Sequence, residues 1–162
     1  MELYTTEEVD RINKMKETND RMEEFFLNKR SEWSKNIDPI FEILKKDFNQ
    51  VGYQNIIDAQ ATALSYRMII NEQISLFLNK RSKEEVKIKR LKQDKFLYFA
   101  MGFGLKTTLG EKTLLIDGHI GENDRAIQII EIHIEFLRNC SKNLESFGYT
   151  VKNIIELMNY LK

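Results

Sequence analysis

Residues that end helices are scarce in this chain, and this scarcity constrains its fold more than any other feature. The 162 residues include one proline and seven glycines. Proline removes a backbone donor and glycine costs about 1 kcal/mol inside a helix, so their rarity favours long helices. With 42% hydrophobic residues, the chain can also bury a core. The sequence therefore predicts a mostly α fold: a homo-oligomeric helical bundle with a long N-terminal helix and a C-terminal helical hairpin.

The N-terminal helix begins at a predicted capping box, in which Thr5 bonds the backbone of Glu8 and Glu8 reaches back. Asn19 interrupts its apolar positions, which are Ile12, Met15, Met22, Phe26 and Trp33. Spacings of three and four with one polar residue in the seam suit a coiled coil of about three heptads. They suit equally well a surface helix that lies on its own domain, and the sequence leaves both interpretations open.

The middle of the chain predicts three shorter helices. Asp38-Pro39 has the cap-then-proline pattern of a helix that restarts, and Gly52 ends that helix. The next helix covers about 54–80 and a further capping box at 82–85 opens another that runs to about Met101. The 54–80 helix carries one apolar stripe, which consists of Ile57, Ala61, Leu64 and Met68.

Residues 105–116 have the composition of a short β-hairpin. Threonine and branched residues, which favour strands, flank a turn at Gly110-Glu111. The strongest helix pattern follows at about Asn123–Phe147, with Gly148 as its C-cap and Thr150 as the cap of a last helix.

The 123–147 helix carries two apolar stripes, which implies burial from two sides, within the fold or against another subunit. The candidate oligomerisation residues are Ile130, Ile134, Leu137, Leu144, Ile154, Ile155 and Met158.

Several classes of function have no support in the sequence. His119 and His133 lack metal-ligand or catalytic neighbours, and Cys140 lies on an apolar stripe, so we expect no enzyme, no metal and no cofactor. One cysteine excludes an internal disulfide framework. No apolar run of membrane-spanning length and no signal-peptide pattern is present, so we expect a cytoplasmic protein without a membrane partner.

The charge is balanced overall, with 25 basic and 25 acidic residues, but it is unevenly distributed. Residues 1–50 hold nine Lys/Arg and twelve Asp/Glu, whereas 80–95 hold eight and three. At about 100° per residue, Lys83, Lys87 and Arg90 share one face of a helix, and Lys89 and Lys92 lie on another.

An apolar stripe of Ile88, Leu91, Tyr98 and Phe99 separates these two faces. If that stripe packs inward, the basic side chains emerge along both of its borders, and Phe96 and Phe103 lie just beyond. Cations that follow a phosphate backbone beside rings that stack on bases are typical of single-strand binding without sequence preference. The candidate nucleic-acid-binding residues are Lys83, Lys87, Lys89, Arg90, Lys92, Lys95, Tyr98, Phe99, Phe103 and Lys106.

Three motifs resemble one protein family. They are Lys95-Phe-Leu-Tyr-Phe-Ala-Met-Gly102, Phe136-Leu-Arg-Asn-Cys140 and Phe147-Gly-Tyr-Thr-Val-Lys-Asn-Ile-Ile155. Over about 54–162 the chain is similar to the UvsY family of phage recombination mediators. Residues 1–50 would then be an acidic helical extension, and 51–162 a UvsY-like core with a basic helix at 83–101 and C-terminal oligomerisation helices.

The resemblance implies a non-catalytic, ring-like homo-oligomer that binds single-stranded DNA. It also implies contacts with a RecA-like recombinase and a single-strand-binding protein, which the recombinase replaces on DNA. By position, Lys92 and Lys95 would contact the DNA and Tyr98 and Phe99 would supply aromatic contacts. The acidic extension, the predicted hairpin and the neutral charge depart from the family pattern.

Two other classes of function fit the same residues. A helical structural or assembly protein, such as a virion or scaffold component, would use the apolar stripes for packing and pair the basic helix with acidic helices of neighbours. A small transcription or replication accessory factor is a third interpretation, although no helix-turn-helix pattern supports it.

Overall fold

A computed structural model describes residues 4–102 and 108–162, and the described chain is helical almost throughout. Its long helices are α1 (Thr6–Glu42), α3 (Tyr53–Leu97) and α4 (Leu109–Tyr160), and α2 (Phe48–Val51) is a single turn. A 3₁₀ turn (Ile43–Lys45) follows α1 and a π-helical turn (Tyr98–Gly102) follows α3. No strand occurs in these residues, so the mostly α prediction is confirmed.

Helix α1 runs through Pro39, so the predicted restart at Asp38-Pro39 was wrong. Ile37 and Ile40 are buried on either side of the exposed proline. Burial of such side chains stabilises by about 1.5–3 kcal/mol each, which offsets the hydrogen bond that proline removes. At the other end of α1, the backbone N–H of Glu8 donates to Thr5 Oγ1 at 3.2 Å, which is one half of the predicted capping box.

The turn between α1 and α3 follows the local signals. Asp47 caps α2, because its carboxylate accepts a hydrogen bond from the backbone N–H of Asn49 at 3.1 Å. Gly52 follows α2 with φ = 82°, a conformation that glycine adopts without steric cost. A helix does end at Gly52, but it is the single turn α2 and not the longer helix predicted to start at Asp38-Pro39.

Helix α3 continues without a break past the capping pattern at 82–85, so the predicted boundary there was wrong. Ser82 is exposed in mid-helix, and Arg81 forms an ion pair with Glu85, 3.6 Å away. Ile70, before the capping pattern, and Ile88, after it, are both buried. Their burial stabilises a continuous helix, so the capping pattern does not end it.

Residues 109–116 are the first turns of α4, so the predicted hairpin was wrong over that range, and residues 105–107 lie outside the described residues. A reciprocal capping box begins the helix. The backbone N–H of Glu111 donates to Thr108 Oγ1 at 3.2 Å, and the backbone N–H of Thr108 donates to Glu111 Oε2 at 2.7 Å.

Helix α4 also continues past Gly148 and Thr150, so the predicted C-terminal hairpin is one helix instead. The Thr150 hydroxyl donates to the carbonyl of Ser146 within the helix, at 2.9 Å, rather than capping a new one. Phe147 and Val151 are fully buried on either side of this site, and their burial outweighs the cost of one helical glycine.

The described chain divides into two compact units, to which all three long helices contribute. Unit 1 comprises Met1–Phe25 and Leu78–Ile132, and unit 2 comprises Phe26–Phe77 and His133–Lys162. Unit 2 encloses an apolar core, whose most buried members are Ile70, Leu137, Phe147 and Val151. The predicted division into 1–50 and 51–162 remains a prediction about function.

Polar residues enter the interior of unit 1. Asn19, His119 and Asn123 are buried there, as are the apolar residues Phe99, Ile120 and Ile130. The Asn19 side chain donates to the carbonyl of Glu122 at 2.7 Å and to its carboxylate at 2.9 Å. The N-terminal part of α1 therefore packs on its own chain, as in the surface-helix interpretation.

The candidate oligomerisation residues are largely interior. Ile130, Ile134, Leu137 and Leu144 are buried within their own units, which corrects the prediction that they face another subunit. Ile154, Ile155 and Met158 are partly exposed. No helix in the described part of the chain is both long and apolar enough to cross a bilayer.

Candidate nucleic-acid interface

The basic part of α3 buries its apolar side and exposes its cations, as the helical spacing predicted. Ile88 is buried and Leu91 is half-buried. The exposed basic side chains lie on both sides of this apolar stripe, Arg90 on one side and Lys89 and Lys92 on the other. The apolar stripe therefore packs inward, which is the condition for the cations to lie along its borders.

Three of the eight cations of this segment form ion pairs within unit 1. Lys87 pairs with Glu84 at 2.9 Å, Lys95 pairs with Glu8 at 3.1 Å, and Arg81 lies 3.9 Å from Glu131. Because Lys95 is held by a carboxylate and is half-buried, it is less accessible to phosphate than its position in the sequence indicates.

The other five cations are exposed and have no carboxylate partner among residues 4–102 and 108–162. Lys80 is one of them, and the candidate binding residues Lys83, Lys89, Arg90 and Lys92 are the other four. Exposed, unpaired cations can neutralise phosphates without first breaking an ion pair. These four are the members of the predicted set that the structure leaves accessible.

The predicted aromatic residues agree less well with the structure than the predicted cations do. Phe99 is 1% exposed and packs against Ile116, so it cannot stack on a base in this conformation, and this corrects the prediction. Tyr98 is half-buried, with Lys95 Nζ 5.8 Å from its ring centroid. Phe103 and Lys106 lie outside the described residues.

Among the described aromatic residues at the end of α3, Phe96 is the exposed one, with 43% of its surface accessible. Residues three and four apart share a helical face, so Lys89, Lys92 and Phe96 lie along one side of α3. Lys112 on α4 places its Nζ 6.0 Å from the Phe96 ring centroid, at the outer limit of a cation–π contact. We call Lys89, Lys92, Phe96 and Lys112 the stacking stripe.

A shallow groove of about 660 Å³ borders the stacking stripe within unit 1. Its walls come from the end of the basic part of α3 and the first turns of α4, and its polar lining includes Gln93, Thr113 and Asp117. The groove combines one exposed ring, one lysine and hydrogen-bonding groups with two carboxylates, those of Asp94 and Asp117. The ring and the lysine suit a nucleobase beside its phosphate, and the carboxylates repel a phosphate that enters the groove itself.

A polar cluster around Glu8 joins three helices of unit 1. The Glu8 carboxylate accepts from Arg11 at 2.8 Å, contacts His119 Nδ1 at 3.0 Å and pairs with Lys95. Burial alone would raise the pKa of Glu8, but the hydrogen bonds from Arg11, His119 and Lys95 together lower it to about 2. The ring of Tyr4 stacks on His119, with centroids 4.3 Å apart.

His133 and Cys140 have no arrangement that supports chemistry. Burial, with a smaller effect from the charge of Arg30, lowers the pKa of His133 to about 4, and its ring stacks on Phe26. Burial raises the pKa of the Cys140 thiol, which makes it less reactive. No group of three or more metal-binding side chains occurs in the described segments.

Phe96 was not among the predicted binding residues, which included its neighbours Tyr98 and Phe99, and neither was Lys112. The sequence did contain a signal for Phe96, because it lies four residues after Lys92 and seven after Lys89 and therefore shares their helical face. Lys112 had no such signal, because its proximity to Phe96 requires α4 to begin at Leu109 rather than a hairpin.

Comparisons with models of protein families, with curated proteins and with known structures returned no match to this chain. The resemblance to the UvsY family therefore rests on the three sequence motifs, and any function must be argued from the geometry of the chain.

Proposed function

We propose that this protein binds single-stranded DNA through the stacking stripe and acts as a recombination mediator. The observation that carries the proposal is the alignment of Lys89 and Lys92 with the exposed ring of Phe96 on one side of α3. Lysines contact phosphates, and the ring stacks on a base of any identity, so binding has little sequence preference. Lys83 and Arg90 extend the cationic surface on the neighbouring face.

The mediator role comes from the resemblance to the UvsY family. In that role the protein helps a RecA-like recombinase replace single-strand-binding protein on DNA, in the cytoplasm of an infected bacterium if a phage encodes it. It has no catalytic activity. A homo-oligomer, ring-like in the family, would add the weak contacts of several stacking stripes, which compensates for the zero net charge of each chain.

The test is titration of a labelled oligothymidine with the protein, followed by fluorescence anisotropy at several salt concentrations. Phe96→Ala should weaken binding about 5- to 100-fold, because base stacking contributes about 1–3 kcal/mol. Lys89→Ala/Lys92→Ala should weaken binding and reduce the salt slope by about 1.4, since each phosphate contact on a single strand contributes about 0.7.

The matched control is Lys16→Ala/Lys142→Ala, which removes two exposed lysines from other surfaces. It should leave the salt slope unchanged apart from the small effect of net charge. If the control and the stripe variants lose binding equally, the stacking stripe is not the interface. If the unaltered protein does not bind the oligonucleotide at low salt, the DNA-binding proposal is wrong.

An assembly protein remains the second candidate, because unit 2 exposes several large apolar side chains along α3, among them Leu64 and Met68. Such a protein would form particles or filaments and bind no oligonucleotide at low salt. A mobility-shift series at low and moderate salt separates the two functions.

A further inference from the structure

The apolar stripe of Ile57, Ala61, Leu64 and Met68 faces outward in unit 2. Ile57 is 41% exposed, Leu64 60% and Met68 62%, and Ala61 is exposed as well. The opposite side of the same helix carries the buried residues Ile56, Ala63 and Ile70 of the unit 2 core. Helix α3 is therefore apolar on two sides here, and the structure covers one of them.

From this geometry we infer that the exposed stripe is a docking surface for the same stripe of a second copy of the chain, in antiparallel orientation. The spacings of four, three and four residues are those of alternating d and a positions of a heptad repeat. Such a stripe fits between the side chains of another helix with the same spacing, and scattered surface apolar residues do not have this regularity.

The stripe is complementary to itself when the two copies run in opposite directions. A two-fold axis between residues 62 and 63 places Ile57 opposite Met68 of the second copy and Ala61 opposite its Leu64. Ala61, the one small side chain of the stripe, then meets a leucine, and the other layer pairs two large side chains. A parallel pairing in register would place two alanines opposite each other and leave a gap in the seam.

The flanking side chains are compatible with this pairing. The same axis sets Asp58 beside Ser65 of the second copy and Gln60 beside its Arg67, so no like charges of α3 meet across the pair. Arg67 also pairs with Glu145 on α4 within its own chain, at 3.0 Å, which fixes the guanidinium at the edge of the stripe.

A groove of about 540 Å³ along the stripe provides room for the second copy. Helix α4 forms its other wall with Gly148, Tyr149 and Lys152, and Tyr149 is 63% exposed. A docked helix would cover the Tyr149 ring together with Leu64, which widens the contact from one helix to two. This surface lies in unit 2 and shares no residue with the stacking stripe of unit 1.

Light scattering after size exclusion tests the dimer directly. The unaltered protein should have about twice the 19.2 kDa mass of the chain, or a multiple of that dimer, at micromolar concentration. Leu64→Glu/Met68→Glu should halve that mass while the helical circular dichroism stays unchanged, because both side chains are exposed. Leu76→Glu is the matched control, since Leu76 is 67% exposed but lies about 100° away around the helix.

Cross-linking tests the orientation in a Cys140→Ala background. Chains carrying Ala61→Cys, mixed with differently tagged chains carrying Leu64→Cys, should form the 61–64 disulfide faster than either variant forms a disulfide with itself. Faster self-linkage of the Ala61→Cys chains would make the copies parallel and overturn the orientation.

A monomeric mass for the unaltered protein, or a dimer that survives Leu64→Glu/Met68→Glu, would overturn the docking surface. Loss of the dimer with retained affinity per chain for a short oligonucleotide leaves the DNA-binding proposal standing. Failure of oligonucleotide binding with an intact dimer removes only that proposal.

Discussion

Units 1 and 2 use the same three long helices but hold them together with different chemistry. In unit 2 the helices meet through large apolar side chains such as Ile70, Leu137 and Phe147. In unit 1 much of the contact is polar, through Asn19 with Glu122 and the cluster around Glu8. Apolar burial contributes free energy with little directional preference, whereas buried hydrogen bonds require one alignment of the helices. We expect unit 2 to dominate stability and unit 1 to fix the alignment that builds the stacking stripe.

The largest expected effect tests the apolar side of this comparison. Phe147→Ala should lower the free energy of unfolding by about 3–5 kcal/mol, because it removes a fully buried aromatic side chain and leaves a cavity. Urea denaturation followed by circular dichroism measures the change. Leu157→Ala, at a position 63% exposed on the same helix, is the control and should change stability by less than about 0.5 kcal/mol.

The next effect tests the polar side. Glu8→Gln removes the charge that holds Arg11, Lys95 and His119, and hydrogen bonds to a charged group contribute about 1.5–3 kcal/mol. The pKa of Glu8 is lowered in the folded protein. The stabilisation by the Glu8 carboxylate is therefore present above the ordinary pKa of a glutamate and is lost as pH falls towards about 2.

Urea denaturation at pH 7 and at pH 3 should therefore show a larger difference between the unaltered protein and Glu8→Gln at the higher pH. The matched control is Glu7→Gln, since Glu7 is exposed on the same turn. Equal stability of the two variants at pH 7 would remove the Glu8 cluster as a stabilising element of unit 1.

The smallest effect concerns His133, one of the buried polar residues of unit 2. His133 is buried with its pKa lowered to about 4, and its Nδ1 has no hydrogen-bond partner in the described residues. Protonation therefore favours the unfolded chain, and stability should fall as pH drops through the ordinary histidine pKa towards 4. Between pH 7 and pH 5.5 the loss is about 1 kcal/mol.

His133→Phe should remove most of that pH dependence, because a phenyl ring preserves the stacking on Phe26 and does not titrate. The pH dependence is measured from the urea midpoints of the unaltered protein and of His133→Phe at pH 7 and pH 5.5. An unchanged pH dependence in the variant would show that another group is responsible.

The sequence predicted the character of the fold better than its boundaries. Scarce proline and glycine predicted long helices, and the 3.6-residue period predicted that Ile88 and Leu91 face inward and Lys89 and Lys92 outward. The predicted breaks at Pro39, 82–85 and Gly148 failed although caps and single glycines change stability by about 1 kcal/mol and a proline inside a helix costs about 3 kcal/mol. Buried side chains on both sides of each break contribute more.

The sequence by itself determined the helical class, the concentration of cations on α3 and the apolar stripes, because each depends on the period of a single helix. Only the tertiary structure decided which stripe is covered, which aromatic ring is exposed and which cations are paired. Those outcomes depend on contacts between residues that are far apart in the chain, such as Glu8 with Lys95 and Phe96 with Lys112. A local sequence pattern cannot predict such contacts.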